Sequence, residues 1–511
     1  KANILKLALF ATGFSGIVTE YMLATLATYF LGDSVVQWTL ILSVMLFSMG
    51  LGSRISKYIT VNIFSTFIVM EFLLSLVVSF SSLSTYSLAA FSKYTGFYIY
   101  FLAIITGMLI GLELPLAVRL NERFEELKVN ISSVLEKDYY GSLAGGLFFA
   151  FFGLPYLGLT YTPFVLGSIN LVVAFLLLNI FPIRRNRRKK LILNIVGSVL
   201  AGIITVGALT AEKLILYGEQ KKYKDKIVYY DQTRYQQIVI TQWKDNYWLY
   251  LNNNLQFSSF DEALYHEVLV HPAMQLTDEP KNILVLGGGD GCAVREILKY
   301  PEVSSITLVD IDPEMTNLAR EHPVMLHINE GSLNNQRVTI INADGYSFVE
   351  KNKEQFDVII IDLPDPRSVE LARLYSLEFY IMCYQHLRPD GTIITQAGSP
   401  YYAARSFKCI DKTLGAAGFS TIKMHNQILT MGEWGWVLGK KQPLNRKTAI
   451  EILQNTNFEE LQTHWINKEA ICYITSFGKD FFGASDEPVK INKIFNPVLY
   501  RYFLAGSWDV Y

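Results

Sequence analysis

Cysteine is scarce: four residues in 511, at Cys292, Cys383, Cys409 and Cys472, far apart and without metal-type spacing. That excludes a disulfide framework and a cysteine-built zinc site as organising features. A basic surplus is also missing, since the formal net charge is -1. Phosphate binding leans on clustered basic surface, so nothing here argues for a nucleic-acid partner. The most telling shortage is local. Most Lys, Arg, Asp and Glu lie after about Lys213, and long stretches before it carry almost none.

What fills that charge-poor half is apolar. Hydrophobic residues make up 51% of the chain, high for a soluble enzyme, and the length exceeds that of one domain. About seven apolar runs are long enough, at roughly 17 to 25 residues, to cross a bilayer as helices. They lie at about Ile4 to Leu31, Val35 to Ser53, Ile59 to Leu83, Phe97 to Val118, Gly141 to Leu159, Pro163 to Phe181 and Leu191 to Leu209. Only helices satisfy their own backbone in lipid without closing a barrel. The expected organisation is therefore a transmembrane helical domain over 1–211 and a charged connector over 212–226. A small β domain with a following helix over 227–272, an α/β Rossmann-like domain over 273–441 and a C-terminal extension over 442–511 follow it.

Basic residues recur in every second loop, at Arg54 and Lys57, at Arg119, Arg123 and Lys128, and in the run Arg184 to Lys190. The positive-inside rule puts those loops in the cytoplasm, so seven spans place the C-terminal part outside the cell membrane. A cytosolic substrate argues for the opposite side, and the sequence leaves both open. Glu20 and Glu113 lie within apolar runs, where a carboxylate costs a few kcal/mol and faces a partner or a wet cavity. Two readings stand: a cation pathway or polyamine pocket, and a helix-to-helix bond or a snorkelling end. Gly107 with Gly111 and Gly141 with Gly145 have the spacing of close helix packing.

Beyond the connector, Ile227 to Tyr230, Gln237 to Thr241, Tyr247 to Leu251 and Leu255 to Ser258 alternate as short strands, with turn signals at Asp245-Asn246 and Asn252 to Asn254. This reads as a small antiparallel β unit. A helical stretch over Asp261 to Val270 is expected to end at Pro272. From Asn282 onward, apolar runs alternate with amphipathic helices, the pattern of a parallel sheet with crossovers. Strands fit Ile283 to Leu286, Ile306 to Val309, Val338 to Ile341, Val358 to Ile361 and Thr392 to Thr395. Ligands in such folds gather beyond the carboxyl ends of the strands, and after each of the first four an Asp appears.

The first strand runs into Gly287-Gly288-Gly289-Asp290-Gly291, the second ends in Asp310, the third leads to Asp344-Gly345, and the fourth ends in Asp362-Leu363-Pro364-Asp365-Pro366. A lone Gly-rich turn is weak evidence; four acidic strand ends are strong evidence. Asp310 stands where an acidic side chain binds ribose hydroxyls, and Asp344 suits an adenine amino group. The loops lack a basic cluster, which favours a nucleoside over a phosphate-bearing cofactor. Asp290 discriminates further: it repels the carboxylate of S-adenosylmethionine and attracts the ammonium of a decarboxylated ligand. Singly, Asp310 or Asp344 also reads as a helix cap or turn residue, Asp362 with Asp365 as a Pro-braced turn, and His266 and His271 as packing histidines.

The run Tyr265-His266-Glu267-Val268-Leu269-Val270-His271-Pro272, the GGGDG turn followed by Arg295-Glu296, the segment Leu308 to Asp312 and the two-aspartate loop closely resemble the spermidine synthase family. Agreement runs from Tyr235-Gln236 to the Gly432 to Trp436 stretch, and the attached spans resemble the multi-pass membrane branch of that family. The resemblance implies that Gln236, Asp310 and Asp344 with Gly345 hold the nucleoside, with His266 and Asp290 near the aminopropyl and polyamine ends. It implies that Asp362 is the catalytic proton acceptor and that Tyr265 and Asp365 hold the acceptor amine. The implied reaction is polyamine aminopropyl transfer from decarboxylated S-adenosylmethionine to a diamine such as putrescine, releasing methylthioadenosine without a metal or other cofactor. Expected partners are small polyamines and a lipid bilayer, while homo-oligomer formation is left open.

Asp362 has a limit as a base. An aspartate near pKa 4 facing an ammonium near 10 is mismatched by about six units, roughly 8 kcal/mol, so the proton moves late, once the new bond acidifies the nitrogen. Three departures from the family pattern bear on the acceptor: Asp310 replaces the usual Glu, Arg367-Ser368-Val369-Glu370 replaces a Gly-Pro-containing stretch, and Glu433 in the Gly432 to Trp436 turn is expected to hold a second ammonium. Two rivals remain in view, a methyltransferase and a membrane transporter or sensor that only binds polyamines.

Overall fold

The computed structural model describes residues 2–32, 34–92, 94–122, 126–180, 187–478 and 488–508. The basic residues Arg123 and Arg184 to Asn186, and the last three residues of the aromatic ending, lie outside them. The chain divides into two compact units, Lys1–Lys226 and Ile227–Tyr511.

In the first unit, α1 spans Ala2–Leu31, α2 Ser34–Ser56, α3 Ile63–Ala89, α4 Thr95–Asn121, α5 Leu127–Phe148, α6 Gly158–Ile180 and α7 Arg187–Lys222. Among the described residues, six continuous helical stretches are long and apolar enough to cross a membrane. The count differs from seven because α5 and α6 run together over Lys128–Ile180 through a π-helical segment, Phe149–Leu157. A straight helix of 53 residues would be roughly 80 Å long. Pro155, which donates no backbone hydrogen bond, and Gly158 at φ 61° break it instead. The residues expected to form a connector from Glu212 to Lys222 are the last turns of α7. Its end is anchored where the Lys222 ammonium bonds buried Glu219 at 2.6 Å and lies 4.9 Å from the Phe30 ring centroid.

The glycine spacings do serve close packing. A Cβ on Gly141 would meet the Phe10 carbonyl oxygen at 2.0 Å, and one on Gly111 the Met49 carbonyl oxygen at 2.1 Å, so α1 with α5 and α2 with α4 touch backbone to backbone. Glu20 and Glu113 are buried in the bundle, joined by Glu71 of α3. Phe47, Phe97, Phe151 and Leu209 stand outward and exposed.

The second unit begins with a four-stranded antiparallel sheet: β1 Lys226–Gln232, β2 Gln237–Trp243, β3 Asn246–Leu251 and β4 Asn254–Ser258. The helix α8, Ala263–Gln275, follows and carries Pro272 inside its last turn. Pro272 therefore does not end it; a proline near the helix end forfeits one hydrogen bond without removing the turns before it. Then come β5 Asn282–Gly287, β6 Ser305–Asp310, β7 Val338–Asn342, β8 Phe356–Asp362, β9 Leu387–Gln396, β10 Ser420–Ile428 and β11 Gly432–Lys440. They form one sheet in the order β10-β11-β9-β8-β5-β6-β7. The stretch Gly432 to Trp436, expected as a turn, is the start of β11, and β10 was not anticipated.

Alternate residues of the central strands serve opposite faces. Ile283, Val285, Val358 and Ile360 enter one core, and Leu284, Leu286, Ile359 and Ile361 enter the other. Burial on both faces explains their near-continuous apolar runs. The chain leaves β5 toward β6 and β7, then returns to place β8 on the other side of β5. That reversal opens a crevice at the carboxyl ends of β5 and β8, the usual ligand position in such sheets.

Candidate active site

Gly287 of β5 and Asp362 of β8 are register partners at that crevice. Gly287 and Gly288 have φ of 80° and 65°, a conformation glycine adopts without steric cost. A Cβ on Gly287 would stand 2.0 Å from the Asp362 carbonyl oxygen, and the Gly288 amide donates to that same oxygen at 3.1 Å. The Gly-rich turn and Asp362 are thus fastened through backbone. Asp310 closes the other side: its carboxylate accepts from the Gly289 amide at 3.1 Å and the Asp312 amide at 2.8 Å. Burial, with the nearby Asp312 and Asp290 charges, raises Asp310 to about 6 against the opposing amide bonds.

The centre is a meeting of α8 with two strand ends. His266, Asp290 and Asp362 bring side-chain atoms within 4.8 Å of one another. The Tyr265 hydroxyl donates to Asp362 Oδ1 at 2.8 Å, and the Tyr265 ring packs against Trp436 of β11 at 5.2 Å. Burial, then the Asp290 charge, pushes the Asp362 carboxyl up to about 6 while His266 and Tyr265 hold it from rising further. His266 Nδ1 lies 2.7 Å from Glu262 Oε2 and its Nε2 4.0 Å from Asp290 Oδ1. Burial alone would lower the His266 imidazole, but Glu262, Asp290 and Asp362 outweigh it and raise it to about 9. With a carboxylate facing each ring nitrogen, His266 is the centre of an ion-pair cluster.

Glu262 anchors that cation. It receives Arg295 Nη1 at 2.9 Å and Nη2 at 3.0 Å, and burial notwithstanding, the His266 and Arg295 partners bring it down to about 2. Arg295 continues to Glu296 at 2.8 Å, and Glu296 to His271 at 3.0 Å. Sequence reading named Arg295-Glu296 only as part of a motif, and Glu262 not at all. His271 belongs to this buried chain, not to the crevice.

The loop after β8 is braced from below. The Tyr375 hydroxyl donates to the Leu363 and Pro364 carbonyls at 3.1 and 3.0 Å, and the Gln396 amide to Leu363 at 2.8 Å. Asp365 lies on this loop with Oδ1 buried and without a hydrogen-bond partner, while Oδ2 meets Arg367 Nη2 at 3.2 Å. Burial raises its carboxyl above the usual range, opposed by Arg367 and by the Gln396 side chain.

The remaining expected residues divide. Gln236 reaches the crevice from the small sheet, where its amide donates to Asp312 Oδ2 at 2.9 Å. Asp344 caps the helix Gly345–Lys351, accepting from the Ser347 amide at 2.9 Å, and its other oxygen pairs with Arg373. The capping reading and the strand-end position therefore hold together. Glu433 is bonded to His425, and among the described interactions none ties it to the Tyr265 and Asp362 group.

A doubly wound sheet whose crevice joins a glycine turn to the carboxylates of Asp290, Asp310 and Asp362 defines a ligand site of the nucleoside-binding kind, suited to a cationic ligand. Comparison with known proteins narrows this class. A family model described as spermine/spermidine synthase domain matches residues 262–450. Polyamine aminopropyltransferase 2 of Aquifex aeolicus (strain VF5) is 43% identical over 503 residues, spanning 98% of this chain and 98% of that protein. The polyamine aminopropyltransferase of Oceanobacillus iheyensis is 36% identical over 504 residues, spanning 97% and 96%. The solved spermidine synthase from Thermotoga maritima covers 50% of this chain and 85% of its own at 28% identity, with a TM-score of 0.44. The chain belongs to the polyamine aminopropyltransferase family, and the alignments with its relatives run through the helical unit as well as the sheet.

Proposed function

We propose that the chain transfers the aminopropyl group of decarboxylated S-adenosylmethionine to a diamine such as putrescine and releases methylthioadenosine, with its helical unit embedded in a bilayer. The observation that carries this reading is the convergence of Tyr265, His266, Asp290 and Asp362 at one strand end. The nucleoside lies along Gln236, Asp310 and Asp344 with Gly345, and Asp290 draws its ammonium. The lone pair of a neutral primary amine attacks the carbon beside the sulfonium, the carbon–sulfur bond breaks, and its electrons stay on sulfur. The new secondary ammonium gives its proton to Asp362, while Asp365 holds the acceptor amine.

The raised Asp362 eases that last step. With the carboxyl at about 6 and an ammonium near 10, the gap narrows to about four units, roughly 5 to 6 kcal/mol. The proton still moves late in the reaction. Against a methyltransferase, the carboxylate of intact S-adenosylmethionine would face Asp290 and Asp362, with the His266 cation already committed to Glu262. Against a binding-only domain stand the relatives named polyamine aminopropyltransferase, which align over 98% and 97% of this chain.

Purified protein is given decarboxylated or ordinary S-adenosylmethionine with a panel of amines. Methylthioadenosine release with the decarboxylated donor is expected; methylated amine, or tight binding without turnover, would refute the assignment. Asp362→Asn is expected to lower kcat by at least about a thousandfold while methylthioadenosine still binds, and full activity in that variant removes Asp362 from its role.

A further inference from the structure

Arg367 occupies a position the reaction does not account for. Its guanidinium meets Asp365 Oδ2 at 3.2 Å, donates to Asn254 Oδ1 on β4, and lies 5.6 Å from the Phe503 ring centroid. It is thus held by three separate pieces of the unit: the loop after β8, the small sheet and the C-terminal helix Leu499–Leu504. It satisfies one oxygen of Asp365 and leaves the other, Oδ1, buried and without a partner. A buried carboxylate oxygen without a hydrogen bond costs free energy unless a ligand supplies the donor. In the proposed complex one acceptor ammonium pairs with Asp365, and beside it stands the fixed positive charge of Arg367.

We infer that Arg367 is a specificity-determining residue that limits the acceptor to a diamine and discriminates against a triamine of the spermidine type. The inference rests on the aminopropyl-transfer reading. A diamine presents one nitrogen to Asp362 and meets Asp365 Oδ1 without a further charge to place. A longer amine must carry a third ammonium past the guanidinium, and like charges a few ångströms apart in a partly wet cleft repel by about a factor of ten or more in binding. Arginine suits this role because its planar fork holds Asp365 and Asn254 at once and stays protonated at any working pH.

The test compares kcat/KM for 1,4-diaminobutane and for spermidine, each with decarboxylated S-adenosylmethionine, in the full chain carrying Arg367→Ala or Arg367→Lys. The alanine variant is expected to raise the spermidine-to-diamine ratio about tenfold, chiefly through KM for spermidine. The lysine variant keeps the charge and is expected to retain most of the discrimination. An unchanged ratio in the alanine variant overturns the inference, as does equal loss of both activities with methylthioadenosine binding intact, which would make Arg367 a support for Asp365 only. If the alanine variant does not fold, the lysine variant and raised salt decide: a ratio that shifts toward spermidine as salt screens the charge supports the inference, and a salt-independent ratio overturns it. Failure of the unaltered chain to release methylthioadenosine with either amine would sink the reaction itself, a result distinct from all of these.

Discussion

Two side chains at the centre titrate at opposite ends of the working range. Asp362 must be a carboxylate to take a proton, and it is so above about 6; His266 is a cation below about 9. The free-enzyme profile of kcat/KM is therefore expected to fall roughly tenfold per unit below pH 6, with an alkaline limb near 9. The acid limb of kcat is expected at lower pH, because bound cationic substrates favour the charged form of Asp362. Replacing Glu262 by Gln removes the largest influences holding His266 up, so the alkaline limb should move toward neutrality. Histidine NMR shifts across the pH range check the same change without turnover, and an unmoved His266 titration would detach Glu262 from this role.

At the scale of elements, the joint between β5 and β8 leaves no room for a side chain. Gly287→Ala forces a side chain into a left-handed conformation and against a carbonyl oxygen 2.0 Å away. A loss of about 3 kcal/mol or more is expected, seen as a fall of roughly 6 to 12 °C in Tm. An unchanged Tm would mean that the turn relaxes freely. The same elements show what a sequence can carry. Gly287 to Gly291, Asp310, Asp344 and Asp362 each follow an apolar run, so local pattern alone puts them at strand ends. The Glu262 to Arg295 bridge, the brace of Tyr375 and Gln396 beneath the Asp365 loop, and the Asp312 partner of Gln236 join residues distant in the chain, and no spacing encodes them. The hairpin of β10 and β11 was hidden for another reason: the glycines and acidic residue of Gly432 to Trp436 carry turn composition, overridden by pairing with β10. Glu433 stands in the same strand, and its side chain pairs with His425.

Over the whole molecule, polar and apolar surface are segregated. The helical unit turns Phe47, Phe97, Phe151 and Leu209 outward, large apolar side chains of the kind a lipid-facing surface carries. Cell membranes washed with alkaline carbonate are expected to retain the chain, and mild detergent to release it; recovery in the carbonate supernatant would exclude an integral location. The catalytic unit has a contrast of its own. One wall of its crevice is backbone against backbone, where Gly287 leaves no room beside the Asp362 carbonyl, so the distance from the glycine turn to Asp362 is set like a hinge pin. The facing wall, with Asp365, Arg367 and Phe503, is built of side chains that a single codon change can shorten or recharge. Drift toward new amines within such a scaffold would accumulate on that second wall while the first stays fixed.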